Sequence, residues 1–192
     1  MSGMHSGLSS LRRFASAALA LTWLTAAAAA DTFTLQSPTL AANGMLSTDQ
    51  VYSGFGCTGK NISPALSWSG APSATRSFAV TVYDPDAPTG SGWWHWVVYN
   101  IPASVTELPA GAGSAGGKLP PGAMQGHTDF GSSGFGGACP PAGDKPHRYI
   151  FTVYALKSEK ISVPDGASAA MVGFMIHSNA LANASITARY VR

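Results

Sequence analysis

Ser77-Phe78-Ala79-Val80-Thr81-Val82-Tyr83-Asp84-Pro85-Asp86-Ala87-Pro88 joins a run rich in β-branched and aromatic residues to a turn that cannot continue a ladder. Val, Thr, Tyr and Phe fit a pleated, packed surface, and the two prolines remove backbone donors and fix φ, so this is a strand ended by a stiff turn. Working outward, the pattern recurs at His95-Trp96-Val97-Val98-Tyr99-Asn100-Ile101, at Arg148-Tyr149-Ile150-Phe151-Thr152-Val153-Tyr154-Ala155-Leu156 and at Ser185-Ile186-Thr187-Ala188-Arg189-Tyr190-Val191. Several strands bounded by Gly, Pro, Asn and Asp predict a mainly β domain, an antiparallel two-sheet β-sandwich in which each sheet buries one face.

One segment breaks the pattern. From Ala167 to Leu181, Met171, Phe174, Met175 and Leu181 approximate a helical stripe that Ser168 can cap, which predicts a single helix near the C-terminus. Between Gly111 and Gly143 lie eleven of the 22 glycines with Pro120, Pro121, Pro140 and Pro141, so this stretch is expected to be a long irregular excursion.

The N-terminal residues 1 to 30 read as a secretory signal: Arg12 and Arg13, then the apolar stretch Phe14 to Leu24, then Ala28-Ala29-Ala30 before Asp31. The competing reading is a membrane anchor, but only weakly hydrophobic alanines extend the stretch toward the roughly 20 residues that a span requires. Arg12-Arg13-Phe14 is a partial twin-arginine pattern, so the export route stays open. Residues 31 to 192 then form one domain, periplasmic or secreted, long enough to bury roughly 70% of its unfolded surface. With Arg12 and Arg13 set aside, nine Lys and Arg face nine Asp and Glu, with no basic run, which argues against nucleic acid as a partner. Export also places Cys57 and Cys139 where disulfides persist, and they are expected to pair; their spacing is not that of a metal site.

The chemistry-bearing residues fall in three places. The turn presents Asp84 and Asp86; Trp93-Trp94-His95-Trp96 sets one polar group in an apolar wall; and Pro146-His147-Arg148-Tyr149 opens the next strong strand, after Gly134-Phe135-Gly136-Gly137-Ala138-Cys139-Pro140-Pro141. Apolar walls with a few convergent polar groups suit a small-ligand pocket, although turn chemistry and core packing explain each motif taken singly. His127 and His177 are read as surface or core histidines outside the site.

An Asp-Pro-Asp-Ala-Pro turn, a histidine in a tryptophan-rich strand and a glycine-rich loop before His-Arg-Tyr, in that order, resemble the phosphatidylethanolamine-binding protein family. Asn61-Ile62-Ser63-Pro64-Ala65-Leu66-Ser67-Trp68 and Trp93 to Asn100 look like its bacterial Raf kinase inhibitor-like branch, and the match runs from about Phe33 to Tyr190. The resemblance implies a β-sandwich with a small cavity for anions such as phosphate and phosphorylated head groups. Its lining is expected from Asp84, Asp86, Pro88, Trp93, His95, His147 and Tyr149, with Gly136 and Gly137 on the rim and a cis bond between Ala87 and Pro88. His95, His147 and Tyr149 supply donors, whereas the carboxylates repel an anion unless they orient a histidine or meet the ammonium of a zwitterionic guest.

The expected partner is therefore a small anionic or zwitterionic phosphorylated ligand, with no cofactor and no metal. A protein-interaction module of protease- or kinase-inhibitor type with a vestigial pocket is the alternative, and a protein partner or a homodimer is compatible with the residues. Catalysis ranks lower: no Gly-x-Ser-x-Gly elbow or His-Glu-x-x-His motif occurs, and Ser132 and Ser133 show no sign of activation.

Overall fold

The computed structural model describes residues 32–192; the predicted secretory signal lies outside the described residues. In chain order come β1 (Thr34–Gln36), a 3-10 turn (Thr48–Gln50), β2 (Ser53–Gly54), β3 (Cys57–Thr58), β4 (Leu66–Ser69), β5 (Ser77–Asp84), β6 (Trp93–Pro102), β7 (Glu107–Leu108), β8 (Met124–Gln125), β9 (His147–Leu156), α1 (Ala169–Asn179) and β10 (Ala180–Tyr190). A five-stranded sheet has the order β10-β9-β5-β6-β8, a three-stranded sheet the order β1-β4-β7, and β2 and β3 form a separate hairpin. Every strand pair is antiparallel.

The central strands are buried on both faces. Phe78, Val80 and Val82 of β5 and Phe151 and Val153 of β9 pack with Leu35, Leu66, Trp68 and Leu108 of the smaller sheet. The opposite face carries Ala79, Val97, Tyr99, Tyr154 and Leu156, which pack against Val172 and Ile176 of α1 and against Ile161. Apolar residues at both alternate sets of positions thus belong to two cores, one between the sheets and one under the helix. At Asn100, in the left-handed region with φ 59°, β6 bulges, and the side-chain amide exchanges two hydrogen bonds with the Ile161 backbone, tying the segment before α1 to the sheet.

Ser168 caps α1 as expected, its hydroxyl accepting from the Met171 N–H. The buried face is not the expected one. Ala169, Val172, Gly173 and Ile176 are buried, while Met171 and Phe174 are 48% and 69% exposed, and Leu181 belongs to β10. The helix is apolar on more than one side, so periodicity does not choose between faces. The choice comes from the sheet: a Cβ at Gly173 would lie 3.2 Å from the Trp94 ring, so the smallest residue turns toward that indole.

Cys57 and Cys139 form a disulfide with a Cα–Cα distance of 6.0 Å across 82 residues of chain, a closure worth about 4.5 kcal/mol in the chain-entropy model. It ties the β2–β3 hairpin to the end of the glycine-rich loop. Among the described residues no helix is long and apolar enough to cross a membrane.

Candidate functional site

At one end of the five-stranded sheet, the β5–β6 turn, the start of β9 and the loops around Phe55, Phe130 and Cys139 enclose a cavity of about 210 Å³. Asp84, His95, His147 and Tyr149 bring polar groups to it, Trp93 and Phe130 line its walls, and Pro88, Thr89, Pro140 and Pro141 complete the rim.

Asp84 is the last residue of β5 and 2% exposed. Its Oδ1 accepts from the Asp86 N–H at 2.8 Å, an Asx turn that bends the chain out of the sheet. Its Oδ2 lies 2.8 Å from His147 Nδ1, and the other nitrogen of that ring lies 3.3 Å from Asp144 Oδ2. The buried carboxylate is therefore matched by an imidazole N–H, as a charge out of water requires.

Asp86 turns away. It accepts from the backbone N–H of Arg148 at 2.9 Å and holds the guanidinium through Nε at 2.8 Å and Nη2 at 2.6 Å, outside the cavity lining. The guanidinium holds its carboxyl at about 2, below the usual aspartate range. Gly136 and Gly137 do not line this cavity either; Gly136 instead lines a neighbouring pocket that shares Phe130. A Cβ at Gly136 would stand 2.2 Å from the Phe130 ring and one at Gly137 2.4 Å from the Gln50 carbonyl oxygen, so these glycines let loops pack closely. The expected cis bond before Pro88 is trans, since no peptide bond among the described residues is cis; the turn closes instead by Thr89 N–H donating to the Ala87 carbonyl at 2.8 Å.

His95 reaches the cavity through a bulge. Val82 pairs with Trp96 but Tyr83 pairs with Trp94, so His95 is the extra residue of β6. Strict alternation would place His95 and Trp96 on opposite faces; the bulge lets His95 join Phe130 and Tyr149 while Trp96 stays in the core between the sheets. The Gly136 carbonyl lies 2.7 Å from His95 Nδ1, and because a carbonyl only accepts, Nδ1 carries the proton. Burial pushes the imidazole pKa down, partly offset by that carbonyl, so the ring is neutral at neutral pH and Nε2 is a bare acceptor. No hydrogen bond among the described residues uses Nε2.

Tyr149 is 1% exposed and its hydroxyl has no hydrogen-bond partner. Burial, with the Asp84 charge second, pushes its pKa up and keeps the phenol protonated. A buried polar group left unpaired costs about 1–3 kcal/mol.

Sequence reasoning missed Phe55, Phe130, Asp144 and the Pro140-Pro141 rim. Phe130 packs 4.5 Å from Tyr52 and edge-on to Trp93 and His95, on a loop strapped to β6 by Asp129, whose carboxylate accepts from the Trp94 N–H at 2.7 Å. The aromatic content of these loops was a usable signal; their convergence was not. His127 sits in isolated bridges to Ser133 and Ser168, and His177 packs edge-on to Tyr154, both outside the cavity lining.

Fold and cavity together define an antiparallel β-sandwich protein with a partly polar pocket at the end of its larger sheet. The family model for phosphatidylethanolamine-binding protein matches residues 36–191, and the chain belongs to that family. The protein YbcL of Escherichia coli strain K12 is 58% identical over 171 residues, covering 88% of this chain and 93% of its own. Its crystal structure superposes with a TM-score of 0.81 over 83% of this chain and 98% of that one, at 60% identity. A homologue of the same family from Chlamydia trachomatis, 28% identical, covers 84% of this chain and 99% of its own with a TM-score of 0.69. The lipoprotein LppC of Mycobacterium tuberculosis is 35% identical over 144 residues, 75% of this chain and 65% of its own.

Proposed function

We propose that this chain is an exported binding protein whose cavity takes a small phosphorylated head group in its singly protonated form. One observation carries the reading: two unspent hydrogen-bonding groups of opposite kind, the Tyr149 hydroxyl and His95 Nε2, belong to residues lining one small cavity. A neutral imidazole accepts and a phenol donates. A monoester carrying one proton matches both, its P–OH donating to Nε2 and an unprotonated oxygen accepting from Tyr149. The oxygens of Asp84 accept from the Asp86 N–H and the His147 imidazole, so the carboxylate is balanced rather than presented bare to the guest.

Binding suits the site better than turnover. The Thr89 hydroxyl donates to the Gly92 carbonyl, Cys139 is locked in the disulfide, and the phenol is held protonated, so none of the hydroxyl or thiol groups of the lining is an activated nucleophile. Export is supported by the signal-like residues 1 to 30, by the disulfide and by the lipoprotein name of one relative.

The test is a heteronuclear NMR titration of the oxidised domain with inorganic phosphate, phosphoethanolamine and a neutral sugar. Shifts are expected at Asp84, His95, Phe130 and Tyr149 with the two phosphorylated ligands only. They should weaken as pH rises past about 6 to 7, where a monoester loses its second proton. Tyr149→Phe, which removes one donor, should lower affinity about tenfold or more. No response around the cavity would end this reading and leave the interaction-module alternative, for which the exposed Met171 and Phe174 face of α1 is the place to look.

A further inference from the structure

We infer that a charged groove on the outer side of His147 is a docking site for an acidic segment of a partner protein, with a carboxylate of the partner seated on the Arg189 guanidinium. The groove measures about 580 Å³ and shares only His147 with the cavity. Three cations, Lys145, Arg148 and Arg189, line it together with two carboxylates, Asp86 and Asp144. Both carboxylates are already directed to other groups. Asp86 holds the guanidinium and the backbone N–H of Arg148, and Asp144 Oδ2 lies 3.3 Å from His147 Nε2. Among the described residues no ion pair uses the side chain of Lys145 or Arg189.

The backbone explains why Arg189 lacks more than a neighbour. Arg148 and Arg189 stand directly opposite each other where β9 pairs with β10. Arg189 commits both backbone groups to the other side of β10: its N–H donates to the Gly44 carbonyl and its carbonyl accepts from the Leu46 N–H, each at 2.8 Å. The two arginines therefore form the narrow kind of antiparallel pair, with Cα atoms about 4.5 Å apart and side chains leaving one face close together. Like charges directly opposite destabilise a sheet. Asp86 neutralises one guanidinium of the two, so the repulsion at Arg189 stays uncompensated among the described residues. Arg189 is also half-buried, which weakens the screening that water gives a fully exposed charge. A carboxylate from outside meets both deficits, since its two oxygens match the planar fork and its charge cancels the repulsion.

The flanking groups choose among anions. Asp86 and Asp144 border the cations, so each further negative charge on a guest is repelled, and a monovalent carboxylate suits the groove better than a phosphate dianion. A small free carboxylate gains little here, because one exposed ion pair strengthens binding at most about fivefold. A peptide segment gains more: one carboxylate takes Arg189, a second takes the exposed Lys145, and the open groove has room for the backbone between them.

The experiment is a heteronuclear NMR titration at low ionic strength with a capped pentapeptide of alternating glycine and glutamate, beside the same peptide with glutamine in place of glutamate. Shifts should map to Lys145, Arg148 and Arg189, and the glutamate peptide should bind about tenfold tighter than its counterpart. Arg189→Gln and Lys145→Gln should each lower its affinity about fivefold. Lys118→Gln, the same charge change at an exposed lysine outside the groove, should alter it by less than about twofold. Arg189→Gln should also hold or raise the thermal midpoint, because it relieves the like-charged pair. Equal binding of the two peptides, an equal loss in Lys118→Gln, or displacement of the peptide by inorganic phosphate at constant ionic strength overturns the inference. A fall of several degrees in the Arg189→Gln midpoint overturns it as well, since the guanidinium would then serve the fold rather than a partner.

Discussion

Asp84 and Asp86 leave the same turn two residues apart and take partners from consecutive residues of β9, His147 and Arg148, yet they end in different solvents. The side chains of Asp84 and His147 are 3% and 5% exposed; those of Asp86 and Arg148 are 30% and 46% exposed. The outer pair has the better geometry, three hydrogen bonds including a forked guanidinium, but water and salt screen it. The inner pair has a single bond between partners, and its desolvated charge makes that bond indispensable. The same aspartate chemistry thus serves as a clasp on the surface and as a polar floor inside the cavity, and burial decides which.

The sharpest way to break the comparison is to remove one member of each pair. Asp84→Ala or His147→Ala should cost roughly 3–5 kcal/mol by urea unfolding, because either leaves a buried group without its partner. The double variant Asp84→Asn/His147→Gln should be less destabilised than the sum of its single variants. Equal, small losses at both pairs would show that the inner one is hydrated.

A smaller effect comes from the histidine beside the inner pair. The folded-state pKa of His95 is depressed by burial, so the unfolded chain binds the proton first as pH falls below its ordinary 6.5. Stability is therefore present above that value and declines on acidification, by at most about 1.4 kcal/mol per pH unit from this group. His95→Gln should flatten the slope between pH 6.5 and 5; an unchanged slope would assign it to other groups.

The smallest effect is expected at the surface. Asp86→Asn should move the thermal midpoint at pH 7 by no more than about 3 °C. Its sign is the usual carboxylate one: a folded pKa of about 2 against an ordinary 3.8 means that the contribution is present above 3.8 and is lost as pH falls toward 2. A midpoint difference from the parent that persists at pH 2 would point to a lost packing contact instead.

Much of the architecture was legible because it rests on local chemistry. The long strands β5, β6 and β9 follow from their β-branched and aromatic runs, the Ser168 cap marks the start of α1, and the two cysteines pair with each other. The cavity was legible in part: Asp84, Pro88, Trp93, His95, His147 and Tyr149 converge, while Asp86, Gly136 and Gly137 do not line it. An Asp-Pro-Asp turn states that two carboxylates are presented, but not which one faces inward, since that depends on where β9 docks.

By itself the sequence determined the strand and turn chemistry, the single helix and the family, because each is written in residues near one another or in ordered motifs. Only the tertiary structure decided which helix face is buried, which aspartate enters the cavity and where Phe55 and Phe130 stand. The bulge at His95 shows why. Alternation along β6 assigns His95 and Trp96 to opposite faces, and a pairing offset with β5 brings both inward. That offset is a property of two strands meeting, so neither strand's residues contain it alone.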